Sequence, residues 1–315
     1  ALLRGRRAVV VGDPRQLRHV SFISDDAVGE ALDTHLGDSR SQLFDIRRSS
    51  IHDLAVGRAD THLSLNDHVR SAPHLISFSA ERFYDQRLRI MTRHPSNETE
   101  DRIHVIEVTG ERSTSGVNQP ELDRVIELLA QAVAAGETDI GLISPFRAQA
   151  DALEQAVIAA FPVETIERVR LQVGTVHSFQ GSERDTVIAS LVATADDPPG
   201  RRRFLSDAHL MNVLLTRARR QLVLVSSLGS NPGGLVGDVL RHSHDPPRPV
   251  TPLGPSNAFV DEVSRELSRQ GVTSVAGYPV GRWSIDLVVG RRHAAFEFAA
   301  LGEQGMADGD IVIGP

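Results

Sequence analysis

The strongest constraint on the fold is a recurring order in which short, apolar, β-branched runs alternate with stretches of helical periodicity. Candidate strands fall at residues 8–11, 103–108, 140–144, 173–176, 186–192 and 222–226. Helices lie between them. Asn118-Gln119-Pro120-Glu121 opens one: Asn caps, Pro is tolerated in the first turn, and Glu121 is placed to reach back to the cap amide. Leu122, Val125, Ile126, Leu129 and Val133 then share one helix face. This alternation predicts an α/β architecture, a doubly wound parallel sheet with helices on both faces and ligand sites at the carboxyl ends of the strands. The polar motifs described below are expected at those ends.

A length of 315 residues suits two domains with a small third. All 34 basic side chains are arginine, and lysine and cysteine are absent. A GC-rich genome is the larger cause of such all-arginine usage. The formal charge of −7 excludes a globally basic nucleic-acid coat, so any phosphate recognition must come from local arginine clusters, which pair with phosphate in a bidentate way. Without cysteine there are no disulfides or thiolate metal sites, which fits a reducing cytoplasm. No apolar run approaches the roughly 20 residues that span a bilayer, and the opening residues lack a signal peptide's apolar region. No membrane partner is expected. Because the chain starts on Ala1 and reaches a buried-type strand at once, its natural start is expected upstream.

Five polar segments punctuate the apolar runs. Gly12-Asp13-Pro14-Arg15-Gln16-Leu17 follows the first run, and Leu65-Asn66-Asp67-His68-Val69-Arg70-Ser71 precedes a second group, Phe83-Tyr84-Asp85-Gln86-Arg87-Leu88. Ile143-Ser144-Pro145-Phe146-Arg147-Ala148-Gln149 passes from strand to helix, where free amides favour phosphate. Thr175-Val176-His177-Ser178-Phe179-Gln180-Gly181-Ser182-Glu183 crowds a hydroxyl, an amide, a glycine and a carboxylate into one turn. Asn212-Val213-Leu214-Leu215-Thr216-Arg217-Ala218-Arg219 closes the set. Taken singly, Gly-Asp-Pro is a turn signal, Arg70 a solvated arginine, Pro145 strand–helix punctuation and His177 a packing residue.

In this order the segments resemble motifs of superfamily 1 nucleic-acid helicases, nearest the subgroup of the nonsense-mediated-decay and replication-maturation helicases. The resemblance implies a RecA-like fold, ATP with Mg2+ as cofactor, and single-stranded DNA or RNA as partner. It implies that Gln16 senses the γ-phosphate and that Arg70 meets the nucleotide, with Val69 replacing the usual stacking Tyr. Arg147, Gln149, Thr175 and Gln180 would contact nucleic acid, Gly181 would let a ligand approach the backbone, and Glu183 would orient the nucleotide. Arg217 corresponds to the arginine finger, a group worth roughly 10³ to 10⁵ in rate. The family's phosphate-binding lysine and its magnesium-holding Asp-Glu motif would precede Gly12 and are not in this sequence. The chain is therefore expected to need a missing amino-terminal helicase domain and not to act as an ATPase alone.

The expected divisions are a remnant of a first RecA-like domain over 1–62, a second over 63–228, a Gly/Pro/His/Ser linker over 229–255 containing Pro246-Pro247-Arg248-Pro249, and a tail over 256–315. In the tail, Phe259, Val263 and Leu267 mark an amphipathic helix, with strands at 284–289 and 294–298. This resembles a small α+β restriction-endonuclease-like module akin to very-short-patch repair endonucleases, which often follows such helicases in bacteria. The resemblance implies Asp286 and Glu297 as Mg2+ ligands, with Ala299 at the place of a further catalytic Lys or acid, so a truncated or degenerate module without cleavage is expected. A metal-dependent endonuclease and a non-catalytic assembly module are the alternative readings of the whole chain.

Overall fold

The computed structural model describes residues 7–17, 23–36, 45, 49–194, 196–229, 232–246, 248–289 and, for backbone only, 294–296. In chain order the elements are α1 (Asp25–Leu36), α2 (Ile51–Val56), β1 (Asp67–His68), α3 (Pro73–Arg82), β2 (Arg89–Ile90), β3 (Ile103–Glu107), α4 (Gln119–Ala134), β4 (Ile140–Ser144), α5 (Arg147–Ala160), α6 (Val163–Arg168), β5 (Gln172–Thr175), β6 (Arg184–Thr194), α7 (Pro199–Leu205), α8 (Ala208–Leu215), β7 (Ala218–Ser227), α9 (Gly234–His242), α10 (Ala258–Arg269), β8 (Ser274–Val280), β9 (Trp283–Val289) and β10 (Ala294–Phe296).

Strands β3 to β7 form one five-stranded sheet in the order β3-β7-β6-β4-β5, every pair parallel. Side chains of the central strands alternate between two apolar layers, as a period of two requires. Val187, Ala189 and Leu191 of β6, with Leu222 and Leu224 of β7, meet α3, α8 and α9 through Leu75, Phe78, Met211, Leu214, Val236 and Val239. Ile188, Val223 and Val225 face the opposite layer, with Val125 and Leu129 of α4 and Leu153 and Val157 of α5. Burying one such side chain stabilises by roughly 1.5–3 kcal/mol, against about 0–1 kcal/mol for an exposed ion pair. The two apolar layers therefore hold the sheet, and the arginine pairs at its rims do not.

The doubly wound sheet and five of its expected strands are present. The expected strand at 8–11 is not one: Val9 and Val11 are 90% and 87% exposed, and the segment pairs with no strand among the described residues. A strand needs a ladder for its amides and a face to bury its side chains, and this segment has neither. The linker expected over 229–255 contains α9, opened by two glycines at positive φ, Gly233 and Gly234. Val236, Val239 and Leu240 of α9 are buried in the main core, so α9 belongs to the sheet domain.

The cap of α4 also differs from expectation. Asn118 accepts from the Glu121 amide at 3.2 Å, but Glu121 turns inward and the Asn118 amide donates to Gln149 Oε1 at 2.9 Å. The buried Glu121 carboxylate accepts from Ser190 Oγ at 2.7 Å, the Val192 amide at 2.8 Å, the Ser227 amide at 3.0 Å and Asn118 Nδ2 at 3.3 Å. It thereby holds a β6 bulge in which Val192 takes φ +61, a strained value for a β-branched residue. Burial raises the Glu121 pKa, opposed by these hydrogen bonds.

The tail folds as α10 followed by an antiparallel sheet, β10-β9-β8. Asp286 lies on β9 and accepts from Ser256 Oγ at 2.7 Å. Glu297 and Ala299 lie outside the described residues, so the expected carboxylate pair is not described.

Candidate functional site

The sequence motifs divide between the two ends of the sheet. Between β5 and β6, residues 176–183 descend from the carboxyl end of one strand to the amino end of the next without a helix. Phe179 is buried against the sheet, and the two glycines beneath it make room. A Cβ on Gly141 would sit 3.0 Å from the Phe179 ring, and one on Gly174 would lie 2.3 Å from Ser178 Oγ. Gly181 has φ +88 with open space around it, so its glycine answers a backbone conformation and not a close neighbour.

This descent places Glu183 at the amino end of β6, beside Arg217 at the amino end of β7. These motif residues do not sit at the carboxyl ends, as the alternation alone suggested. The reason is local: each immediately precedes its strand. Arg70 reaches the same place because the Ala72 amide donates to the Arg219 carbonyl at 2.9 Å, tying the start of α3 to β7. Arg70 pairs with Glu183 at 2.9 Å and donates to the Thr216 carbonyl at 3.2 Å. Glu183 also meets Arg219 at 3.6 Å, which continues to Asp185 at 2.8 Å and to Asp139.

Arg217 is only 2% exposed. Its Nε donates to the Val213 carbonyl at 2.9 Å, one terminal nitrogen to the carbonyls of Ser182 at 3.0 Å and Phe179 at 3.3 Å, and the other to Thr216 Oγ1 at 3.1 Å. Burial lowers its pKa to about 10, with the neighbouring Arg70 charge next in size. The guanidinium stays charged at neutral pH, yet it is engaged internally and does not project.

The Gly-Asp-Pro-Arg-Gln segment forms a turn in which Asp13 accepts from the Arg15 amide at 2.8 Å and from Gln16 Nε2 at 3.1 Å. Two residues strap it to the site. Tyr84 donates to Asp13 at 2.6 Å, while Asn212 donates to the Arg15 carbonyl at 2.9 Å and to the Tyr84 hydroxyl at 3.0 Å. Burial, and then the Asp13 bond, raise the Tyr84 pKa. Gln16, Arg70, Glu183 and Arg217, dispersed in sequence, therefore gather around one place. Sequence reasoning gave Tyr84, Asn212 and Arg219 no role, although a lone Asn inside the apolar run 210–215 was a visible signal.

At the other end, Thr175 closes β5 opposite Ser144 of β4. Arg147 opens α5, is 81% exposed and pairs with Asp151 at 2.8 Å. Gln180 departs from this grouping: it is exposed, but it lies between Phe179 and Ser182, whose carbonyls accept from Arg217, and it donates to the Leu17 carbonyl at 3.3 Å next to Gln16, so it stands with the residues of the first end. Gln149 departs from expectation: it is fully buried, donating to the Asn118 carbonyl at 3.1 Å and Ser190 Oγ at 3.0 Å while accepting from the Asn118 amide. Every polar atom of its amide is engaged in the core, so it is not offered to a strand of nucleic acid. Among the described residues, no group of three His, Cys, Asp or Glu side chains could hold a metal, and no helix is long and apolar enough to cross a membrane.

The arrangement is an α/β domain built on a five-stranded parallel sheet, with arginines gathered at one end of it. The AAA domain family AAA_12 matches residues 47–228, and the chain belongs to this family. Its end coincides with the end of β7. Among curated relatives the chain is similar to the DNA replication ATP-dependent helicase/nuclease JHS1 of Arabidopsis thaliana, 32% identical over 120 residues, covering 37% of this chain and 8% of that protein. It is 28% identical over 247 residues to the 5'-3' DNA helicase ZGRF1 of Mus musculus, covering 75% and 12%. It is 27% identical over 259 residues to Helicase sen1 of Schizosaccharomyces pombe, covering 75% and 14%. The chain thus spans a small fraction of the length of these helicases.

Proposed function

We propose that this chain is the second motor lobe of a superfamily 1 nucleic-acid helicase, senses nucleotide at the amino ends of β6 and β7, and binds single-stranded DNA or RNA at the carboxyl ends of β4 and β5. The observation that carries the reading is the gathering of Arg70, Glu183, Arg217 and the Asp13–Gln16 turn from four distant segments. Isolated surface charges would have no reason to meet. The donor set fits a polyphosphate: two guanidiniums lie close enough to lower the Arg217 pKa, and Arg70 Nε is buried without a hydrogen-bond partner. An anionic oxygen would satisfy that nitrogen and relieve the repulsion between the cations.

On this reading Glu183 holds Arg70 in place when no nucleotide is bound, and Gln16 is kept near by the Tyr84–Asp13 bond. Bound ATP with Mg2+ would supply the phosphoryl group whose transfer drives such a motor. This sequence contains no lysine for a phosphate-binding loop, so the chain contributes one half of a composite site. The test is hydrolysis by the purified chain with and without single-stranded oligonucleotide. No phosphate release is expected, while a fluorescent nucleotide should bind weakly and lose affinity in Arg70→Ala. Stimulated release that disappears in Arg217→Ala would refute the reading, because the chain would then carry a complete catalytic set.

A further inference from the structure

A second arginine cluster lies at the carboxyl end of β4, apart from the motif residues. The Arg201 guanidinium lies over the Phe146 ring, its Cζ 3.4 Å from the ring centroid, and Phe204 packs against the same ring at 5.4 Å between centroids. Phe146 is fixed by its amide, which donates to Ser144 Oγ at 3.2 Å where β4 ends. Thr175 is the register partner of Ser144, so Phe146 and Arg201 lie at the same sheet end as the proposed nucleic-acid residues.

One buried carboxylate anchors this cluster. Asp197 accepts from the Thr194 amide at 3.0 Å and lies 3.3 Å from both Arg112 Nε and Arg201 Nε. Thr194 ends β6, whose bulge is held by Glu121. The support for Arg201 is thus internal and rigid. Its Nε is taken by the Asp197 pair and its buried NH2 has no hydrogen-bond partner among the described residues, while 17% of the side chain remains exposed. Arg217, by contrast, has all its nitrogens engaged.

Three consecutive arginines, Arg201 to Arg203, lie here in a chain that is negative overall, with the exposed Asp196 and Asp207 before and after them. Asp197 is shared by Arg112 and Arg201, and Asp151 is paired with Arg147. Arg202 and Arg203, the next two residues of α7, are exposed and have no ion-pair partner among the described residues. A flat guanidinium backed by an aromatic ring, flanked by two free cations, suits an anion that repeats along a chain.

We propose that Arg201, Arg202 and Arg203 of α7, with Phe146 beneath Arg201, form a phosphate-binding subsite for the backbone of single-stranded nucleic acid. It extends the face that begins at Thr175 and Arg147. The proposal rests on the nucleic-acid reading above, and the experiment separates the two. Binding of a labelled oligo-dT by the full chain is measured by anisotropy across a salt series, alongside Arg147→Gln, the exposed double variant Arg202→Gln/Arg203→Gln, and Arg201→Lys. Unlabelled polyglutamate serves as competitor, and thermal melting confirms folding.

The double variant should weaken binding about threefold per arginine and flatten the logarithmic salt slope by about 1.4, given roughly 0.7 per phosphate contact on a single strand. Arg201→Lys should also weaken binding, because an ammonium keeps the charge but cannot lie flat on Phe146 while presenting a fork. Binding by the parent that weakens in Arg147→Gln but not in the α7 variants would overturn this subsite alone. No binding by the parent at low salt would overturn the nucleic-acid reading itself. Polyglutamate that displaces the oligonucleotide at equal charge concentration would overturn the assignment to nucleic acid in favour of an acidic polypeptide. Since the exposed side chains of Arg202 and Arg203 have no ion pair among the described residues, their loss tests the idea even if changing Arg201 perturbs the Asp197 anchor.

Discussion

Replacing Arg217 with alanine is the usual way to disable a nucleotide-contacting arginine, on the assumption that the side chain projects freely and its loss leaves the fold intact. Here the guanidinium is buried and donates to three carbonyls and one hydroxyl, drawn from residues 179, 182, 213 and 216. Hydrogen bonds from a charged group contribute about 1.5–3 kcal/mol each, but desolvating the charge costs several kcal/mol. The carbonyls left behind are also partly satisfied elsewhere, as when Phe179 accepts from the Ser182 amide at 2.9 Å. The net loss expected for Arg217→Ala is about 3 kcal/mol, made up of unsatisfied acceptors and a cavity at the foot of the central strands. In a domain of this size, 1 kcal/mol moves Tm by about 2–4 °C, so a fall of about 6–12 °C is expected by calorimetry or circular dichroism. Arg217→Lys should fall in between, because one ammonium cannot reach acceptors in both the crossover and α8. A Tm for Arg217→Ala within a degree of the parent would refute the buried geometry and restore a freely projecting arginine.

Two further outcomes follow from buried polar groups. His68 Nε2 accepts from the Ser71 amide at 2.8 Å, and burial followed by the Arg70 charge lowers its pKa from 6.5 to about 4. Between those values the unfolded chain takes up a proton that the folded chain refuses, so stability should decline by up to about 2 kcal/mol as pH falls from 6.5 to 4, with allowance for the solvated part of the ring; His68→Gln should flatten urea-unfolding stability across that window, and an unchanged slope would contradict it. Glu121→Gln replaces an all-acceptor carboxylate by an amide whose NH2 opposes donors from Ser190 and Val192 or from Ser227 and Asn118, and should cost about 2–4 kcal/mol in denaturant unfolding; a cost below about 1 kcal/mol would mean that the network is not formed as described.

The central sheet was legible because a strand buried on both faces must be mostly apolar, and 140–144, 186–192 and 222–226 are, with only Ser144, Thr186, Ser190 and Ser226 polar. Composition misled where it masked periodicity. Helix α9 lies in a Gly- and His-rich stretch, yet Val236, Val239 and Leu240 recur at helical spacing and are buried. Strand β8 escaped notice because Gly277 and Pro279 interrupt its β-signals. Motif order brought Arg70, Glu183 and Arg217 together, but depth was invisible. Whether an arginine projects or is buried depends on acceptors from four separate positions, and no local pattern encodes them. The same holds for Gln149 and Glu121, whose polarity suggests a surface and whose partners lie on β6, β7 and the cap of α4.

The position of Phe179 gives the proposed motor a mechanical consequence. Residues 176–183 join Thr175, at the end assigned to nucleic acid, to Glu183, at the end assigned to nucleotide. The segment lies directly on the sheet, its phenylalanine lodged over Gly141 and Gly174. Arg217 donates to two carbonyls of this same segment, those of Phe179 and Ser182. For Arg217 to turn toward a phosphate it must release both, and the turn they belong to continues into the Thr175 hydroxyl through the Ser178 amide, 3.2 Å away. On the proposed reading, a change in these bonds at one end would reach the other through one short, closely packed strap.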